Sequence, residues 1–218
     1  MQGIPLNERK RLGALLDDRP QTEVMAMIPQ FSQAETDNFV APPAKIPEAL
    51  GVLMFNMERG VNLPEIQEFL RDCPDIQPFD VILANELDDG CARSGNKNTA
   101  RELAQAFGLN YAWGLEFIEL VNDENAKGFH GNAVFSRWPI RRAGVIRLPE
   151  QYNWYFDRQK RIGGRLAVFA ELDVGGQPVG AVSIHLENRT HGEGRKAQMA
   201  AILEAVRKEL PDMPLILG

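Results

Sequence analysis

The sequence predicts an α/β (α+β) protein in which mixed β-sheets are flanked by helices. In the first half, strand GVLMFN (51–56), helix LPEIQEFLRD (63–72) and strand FDVILAN (79–85) alternate at the spacing of a βαβ unit. In the second half, RLAVFAELDV (165–174) and PVGAVSIH (178–185) flank a glycine turn and read as a hairpin. A βαβ unit makes parallel strand pairs and a hairpin makes antiparallel ones, so the two together predict mixed sheets.

Residues 1–50 are predicted to form a helical and irregular extension that precedes a domain over residues 51–218. Four leucines between positions 6 and 16 recur at helical spacing. The segment APPAKIPEA (41–49) contains three prolines and is typical of an irregular linker. We see no residues in this extension that indicate chemistry.

The other elements follow from local signals along the chain. Asn98 or Thr99 is a helix cap, and Gly108 is a stop for the same helix. The remaining predicted elements are strands 110–120 and 131–137, helix 194–210 and strand 214–218.

Composition limits the functional classes. The chain has 218 residues, 44% of them hydrophobic and 25% charged, which is ordinary for a globular domain. Its net charge of −6 argues against tight, non-specific binding to duplex nucleic acid. No apolar run reaches the roughly 18 residues that a membrane span requires. The N-terminus lacks the continuous apolar core of a signal peptide, so we predict a cytoplasmic location.

The absence of several well-known enzyme motifs narrows the functional classes further. GxSxG, Walker A, GxGxxG and HExxH are absent, which disfavours serine hydrolases, P-loop enzymes, dinucleotide enzymes and zincins. Cys73 and Cys91 form no CxxC pair and are predicted to be free thiols.

Three apolar segments end in a residue of ligand type: FNMERG at Asn56, VILANELDDG at Glu86 and VSIHLENRT at His185. Polar groups at the ends of neighbouring strands converge on one sheet edge, where active sites of α/β proteins lie. An amide, a carboxylate and an imidazole together suit a divalent metal and a phosphate ester. The structural alternatives are a turn Asn, a solvated strand-end acid and a buried His.

The order of these segments resembles the endonuclease/exonuclease/phosphatase (DNase I-like) superfamily, whose members cleave phosphoesters with a divalent metal. In the family, a strand ending in Asn is followed by one ending in a metal-binding Glu. A segment similar to GFHGNAVFSRWPI (128–140) comes next, and then a strand ending in His-Leu, as in SIHLENR. The resemblance covers roughly residues 50 to 218. It implies two packed mixed β-sheets with helices on both outer faces, which is a four-layer DNase I-like sandwich.

The resemblance also implies the cofactor and the roles of individual residues. Mg²⁺ (or Mn²⁺) is expected, with Glu86 as its main ligand and Glu58 as a second acid. Glu58 shares the side of Asn56 if the strand continues regularly through both residues. Asn56 and His185 are the expected catalytic residues, which would hold and neutralise the phosphate.

Substrate contacts are predicted at Asn132 and Arg137. Asn132 follows a glycine as it does in phosphatase and phosphodiesterase members, and Arg137 lies in the Ser-Arg pair and opens a basic stretch, 137–165. This stretch contains eight arginine or lysine residues, two acids and several aromatics. It either binds a phosphodiester and stacks on its bases, or packs its aromatics inward and leaves its arginines in water. His130 is predicted to lie in a loop.

In the family, the strand that LILG (215–218) resembles continues into Asp-x-Asn. The resemblance therefore implies an incomplete second half, and we expect residues 1–218 alone to be inactive. The predicted function at full length is metal-dependent phosphoester hydrolysis. The substrate is expected to be a nucleic acid, a phospholipid headgroup or a small phosphodiester. The alternatives are a non-catalytic member that binds a phosphate ligand or a partner, and an unrelated α/β protein. The sequence predicts no oligomeric state.

Overall fold

The computed structural model describes all 218 residues, which form five α-helices and ten β-strands. The helices are α1 (Leu6–Ala14), α2 (Gln21–Ala26), α3 (Leu63–Asp72), α4 (Thr99–Phe107) and α5 (Gly192–Glu209). The strands are β1 (Ala34–Asp37), β2 (Val52–Arg59), β3 (Val81–Asp89), β4 (Asn110–Glu119), β5 (Phe129–Ser136), β6 (Ile140–Arg147), β7 (Arg161–Gly163), β8 (Leu166–Val174), β9 (Gln177–Ile184) and β10 (Leu215–Leu217).

The strands form two mixed sheets, as the sequence predicted. The first sheet has six strands in the order β1-β4-β5-β3-β2, with β7 also paired to β4. The second sheet has four strands in the order β10-β9-β8-β6. Each sheet has one parallel pair, β2 with β3 and β10 with β9, and its other pairs are antiparallel.

The two sheets pack face to face, and helices cover both outer faces. Leu83 and Val134 of the first sheet meet Val168 of the second in the core between them. On its other face the first sheet packs against α1 to α4, and the second sheet packs against α5 through Ile202 and Val206. Because β3 is buried on both faces, its start reads as the continuous apolar run VILA rather than as an alternating one. These four layers are those of the predicted sandwich.

The N-terminal segment contributes a strand and part of the first core. β1 pairs with β4, and the amino group of Met1 forms an ion pair with Glu35 of this strand. Leu12, Val24 and Phe31 are buried in the same cluster as the outer face of the first sheet. The sequence did not predict β1, since AETD has a single apolar residue and is held by backbone pairing. The division into an extension and a domain at residue 50 stays a prediction.

Two further strands were missed for similar reasons. β6 (IRRAGVIR) has adjacent arginines where a strand usually shows alternation, and β7 is only three residues long. The two cysteines are free thiols, as predicted. None of the five helices has both the length and the apolar character that crossing a membrane requires.

Candidate active site

Strands β2, β3 and β4 of the first sheet each contain a β-bulge, and the three bulges lie at the same height in the sheet. The register shifts between Asn56 and Arg59 in β2, between Ala84 and Leu87 in β3, and between Leu115 and Phe117 in β4. The backbone has positive φ at three non-glycine residues of these bulges: Glu58 (46°), Arg59 (69°) and Glu86 (59°). Bulges re-aim side chains and are common beside active sites, and such backbone strain needs support from its surroundings.

Glu86 and His185 meet at this edge. The Nε2 atom of His185, which follows β9, lies 3.7 Å from Oε1 of Glu86 on β3. Asn132, fully buried in β5, accepts a hydrogen bond from the Glu86 N–H at 3.1 Å and so supports the bulge. The Nδ2 atom of Asn132 is buried and has no hydrogen-bond partner, so one donor beside Glu86 is unused.

The two sheets are tied together directly behind this pair. The side-chain amide of Asn85 donates to the Ile184 carbonyl at 3.0 Å, and the Ser183 hydroxyl donates to the Ala84 carbonyl at 3.0 Å. These bonds join the residues immediately before Glu86 to those immediately before His185. The position of one side chain is therefore fixed relative to the other by bonds between the sheets.

A buried charge network holds His185 from the other side. Nη1 of Arg165 lies 2.9 Å from Nδ1 of His185 and 3.2 Å from Glu116 Oε1, and Nε of Arg165 lies 3.4 Å from Glu187. Burial alone would raise the pKa of Glu116, but the charges of Arg165 and His185 hold that pKa below its usual range. Arg165 and Glu116 thus both contact the Nδ1 side of the imidazole, whereas Nε2 lies towards Glu86.

A second buried network of charged side chains, centred on Asp88, adjoins the first. His130 lies in β5, not in a loop as predicted, and its Nδ1 is 2.9 Å from Asp88 Oδ1. Arg93 forms a two-point contact with Asp88 at 2.7 and 2.8 Å and also reaches Glu119 at 2.9 Å. The Asp88 and Glu119 carboxylates are thus already neutralised by cations, whereas Glu86 has no arginine or lysine partner.

A cavity of about 700 Å³ opens in front of Glu86. It is lined by five arginines, the acids Glu86 and Asp157, His130 and three further residues, of which only Trp154 is apolar. The arginines are Arg59, Arg158, Arg161, Arg165 and Arg189. The cavity is therefore strongly positive although the whole chain has a net charge of −6.

Aromatic rings position several of these arginines. The guanidinium carbons of Arg161 and Arg165 lie 5.2 and 5.4 Å from the centroid of Trp154, and both also stack on Phe117. Arg189 lies 6.0 Å from the Tyr152 centroid and 5.9 Å from that of Trp154. A stacked guanidinium keeps its planar edge free for hydrogen bonds, which suits phosphate oxygens.

The other residues selected from the sequence are placed differently. Asn56 pairs with Asn85 across β2 and β3, so it lies at the same edge, but its side chain is exposed and accepts from the Glu58 N–H at 2.9 Å. Glu58 is exposed, and Arg59 rather than Glu58 lines the cavity. The bulge after Asn56 interrupts the alternation on which the expectation for Glu58 depended.

Arg137 does not lie beside Glu86 and His185. Its N–H donates to the carbonyl of Asp80, just before the start of β3, whereas Glu86 lies near the other end of that strand. The basic stretch that it opens divides in two. Its second part, from Trp154 to Arg165, faces the cavity, whereas Arg142 pairs with Glu171 on the second sheet. Trp154 and Tyr155 are buried, as the second alternative expected, but Arg161 and Arg165 are buried as well and do not lie in water. Binding of a phosphodiester by this stretch stays a prediction.

The side chains around Glu86 fit a Mg²⁺ ion that takes most of its ligands from water and substrate. No three His, Cys, Asp or Glu side chains are arranged as a ready ligand set. Mg²⁺ is often held by one or two carboxylates together with waters and substrate phosphates. The Glu86 carboxylate, 25% exposed beside a polar cavity, fits that arrangement.

Comparison with known proteins gives structural matches only. No protein-family model matches the chain, and neither does any curated protein. An endonuclease/exonuclease/phosphatase from Beutenbergia cavernae superposes with a TM-score of 0.55 over 76% of this chain at 21% identity. The human Nocturnin catalytic domain gives a TM-score of 0.54 over 87% of this chain at 19% identity. The chain has the endonuclease/exonuclease/phosphatase fold.

A third structure with this fold, from Leptotrichia buccalis, superposes with a TM-score of 0.50 over 78% of the chain at 19% identity. The chain spans 45%, 67% and 66% of the lengths of the three structures, in the order given. The fold predicted from the order of the motifs is therefore confirmed. At these identities the similarity concerns the fold, and the roles of individual residues stay predictions.

Sequence reasoning missed the residues that support the site within this endonuclease/exonuclease/phosphatase fold. Glu116 and Glu119 lie in the apolar strand NYAWGLEFIE and are buried, as are Arg161 and Arg165. A signal was present, since carboxylates inside an apolar strand are costly unless they are paired with cations. Four basic residues between positions 158 and 165 were the available partners.

Proposed function

We propose that this protein is a divalent-metal-dependent phosphoester hydrolase. One observation carries the proposal: an acid without an arginine or lysine partner, Glu86, lies 3.7 Å from His185 beside a cavity lined by five arginines. This combination offers a carboxylate for a hard cation and guanidinium groups for phosphate oxygens. The matching structures from Beutenbergia cavernae and Leptotrichia buccalis are called endonuclease/exonuclease/phosphatase proteins, which supports the same class of reaction.

Glu86 is the residue that would hold Mg²⁺ or Mn²⁺. When bound, such an ion polarises a phosphoryl oxygen and stabilises a leaving oxygen. The unused Nδ2 donor of Asn132 beside Glu86 would bind an oxygen of the substrate. Asn56, at the same sheet edge, would contribute a further amide.

His185 would act on the phosphate through its Nε2 atom, which lies towards Glu86. Arg165 and Glu116 restrict the imidazole, so the ring is held in position before the substrate arrives. Donors that are preorganised towards developing negative charge stabilise a transition state more than freely rotating ones do. Arg165 is itself fixed by two carboxylates and therefore adds positive charge without needing to reorganise.

A non-catalytic phosphate-binding protein is the second candidate. It is favoured by the charge distribution, because Glu86 is the only acid beside His185 that is not already paired with an arginine. Such a protein would bind phosphate ligands in the same cavity without turnover.

A substrate panel separates the two candidates. The protein at its native length would be tested on a nucleic acid, a phospholipid with a phosphodiester headgroup and a small phosphodiester, with Mg²⁺, Mn²⁺ or EDTA. We expect hydrolysis of at least one substrate with either metal and none with EDTA. Binding without hydrolysis in every metal condition would refute the enzyme proposal and support the binding protein.

A further inference from the structure

The five arginines that line the cavity fall into two groups. Arg161 and Arg165 are buried and form ion pairs with carboxylates, Arg161 with Glu119 and Arg165 with Glu116 and Glu187. The outer group, which we call the rim, contains Arg59, Arg158 and Arg189 with one acid, Asp157. A rim with more arginines than acids suits an anion separate from the group bound at Glu86.

The rim arginines are not neutralised by carboxylates in the way that the buried arginines are. Arg158 is exposed and makes no ion pair or side-chain hydrogen bond, and Arg59 contacts only the amide oxygen of Gln159, at 3.4 Å. Arg189 is 56% exposed and lies 3.8 Å from Asp157. By contrast, the side chain of Arg165 is 5% exposed and contacts two carboxylates.

The rim arginines come from three separate segments of the chain but line one cavity. Arg59 follows the β2 bulge, Arg158 lies in the loop before β7, and Arg189 lies between β9 and α5. Arg189 rests against Tyr152 and Trp154, which leaves its planar edge free to contact two phosphate oxygens. Three converging arginines, of which only Arg189 has a carboxylate partner, are the arrangement expected for a group with more than one negative charge.

Size and charge favour a small ligand over a polymer. A cavity of about 700 Å³ has the size of a small-molecule site. The protein as a whole carries −6, which repels an extended polyanion outside the cavity. Only one lining residue is apolar, so the ligand is recognised mainly through charge and hydrogen bonds.

We propose, building on the proposed function, that the substrate is a small compound with a second phosphate in addition to the scissile phosphoester. The second phosphate binds to Arg59, Arg158 and Arg189 at the rim, while the scissile group lies at Glu86 and His185. The rim therefore selects bisphosphorylated over monophosphorylated compounds.

Binding is measured by calorimetry in Ca²⁺ buffer, since Ca²⁺ also takes oxygen ligands. The ligands are a nucleoside 3′,5′-bisphosphate and a sugar bisphosphate, each paired with its monophosphate, together with a single-stranded hexanucleotide. The test variant is the double substitution Arg158→Ala and Arg189→Ala, which changes exposed side chains and should not unfold the protein. The control is Arg207→Ala, which removes an exposed arginine on α5 that lies outside the cavity.

We expect at least one bisphosphate to bind about 10-fold tighter than its monophosphate, as charge-assisted hydrogen bonds to a second phosphate predict. The double variant should lose that advantage and bind both monophosphates as the wild type does, while Arg207→Ala changes nothing. The proposal is overturned by equal affinities within both pairs, by equal loss for both members of a pair in the double variant, or by the hexanucleotide binding tightest. A bisphosphate preference without hydrolysis in the substrate panel would instead refute only the enzyme proposal.

Discussion

At the scale of single residues, Asp88 shows how the protein stabilises a buried charge below its candidate site. Its carboxylate is fully buried and is contacted by Arg93 and His130. Burial alone would raise the pKa of Asp88, but the hydrogen bonds from these two partners outweigh it and lower the pKa to about 2. The usual value is 3.8.

This difference predicts a dependence of stability on pH. At pH values between the two pKa values the unfolded state binds more protons than the folded state, so stability rises with pH in this range. Asp88 should therefore contribute about 2 kcal/mol that is present above pH 4 or so and lost as the pH falls towards about 2. The free energy of unfolding would be measured by urea denaturation across this range for the wild type and for Asp88→Asn.

We expect Asp88→Asn to be less stable than the wild type near neutral pH, and the gap to narrow by about 2 kcal/mol as the solution is acidified. The substitution keeps the size of the side chain and removes its titration. A gap that stays constant over the whole acidic range would show that the Asp88 carboxylate is not stabilised by Arg93 and His130.

Single residues also show what the sequence could predict about the site. Glu86 and His185 could be selected because each ends an apolar strand, and the structure brings them together. Asn132 was selected for its place after a glycine, and it lies against the Glu86 backbone. Glu116 could not be selected from the end of a strand, because it lies inside β4, and its pairing with Arg165 spans 49 positions of the chain.

At the scale of elements, the β-bulges explain most of the remaining differences between the predicted and the observed positions of the site residues. A regular strand alternates its side chains, and on that basis Glu58 was expected beside Asn56. The bulge between Asn56 and Arg59 adds residues to one strand only, so Arg59 reaches the cavity instead. Composition does not reveal such a bulge, because it depends on pairing with neighbouring strands that are distant in the sequence.

The N-terminal elements give a second prediction. Phe31 is 3% exposed, packs in the core of the first sheet and lies under the Arg147 guanidinium at 4.8 Å. If residues 1–37 are an integral part of the fold, Phe31→Ala should cost about 3–5 kcal/mol of unfolding free energy, as core aromatic truncations do. Urea denaturation monitored by circular dichroism measures this directly.

The matched control for that substitution is Phe156→Ala, because Phe156 is 68% exposed. Its loss should cost less than about 1 kcal/mol. Similar small losses for both variants would mean that the N-terminal segment is a loosely attached extension, in line with the original division at residue 50.

At the scale of the whole molecule, the two sheets and the charge distribution act together. The site lies where β3 of the first sheet meets β9 of the second, and bonds from Asn85 and Ser183 lock that junction. The order of motifs predicted this architecture, because each motif ends a strand and the fold determines which strand ends meet. The positive cavity was only partly predictable, since its arginines come from three segments and the chain as a whole is acidic.

Glu86→Gln gives the most direct test that the strand-end acid holds the catalytic metal. The amide keeps the shape of the side chain but loses the charge that attracts a hard cation. The protein at its native length would be assayed at saturating Mg²⁺ on the best substrate of the panel, beside the control Glu204→Gln, which neutralises an exposed acid on α5.

We predict that Glu86→Gln reduces turnover by at least about 100-fold while its melting temperature stays that of the wild type. Glu204→Gln should retain full activity. Turnover of Glu86→Gln close to that of the wild type at saturating Mg²⁺ would contradict the account, because Glu86 would then not be a principal metal ligand.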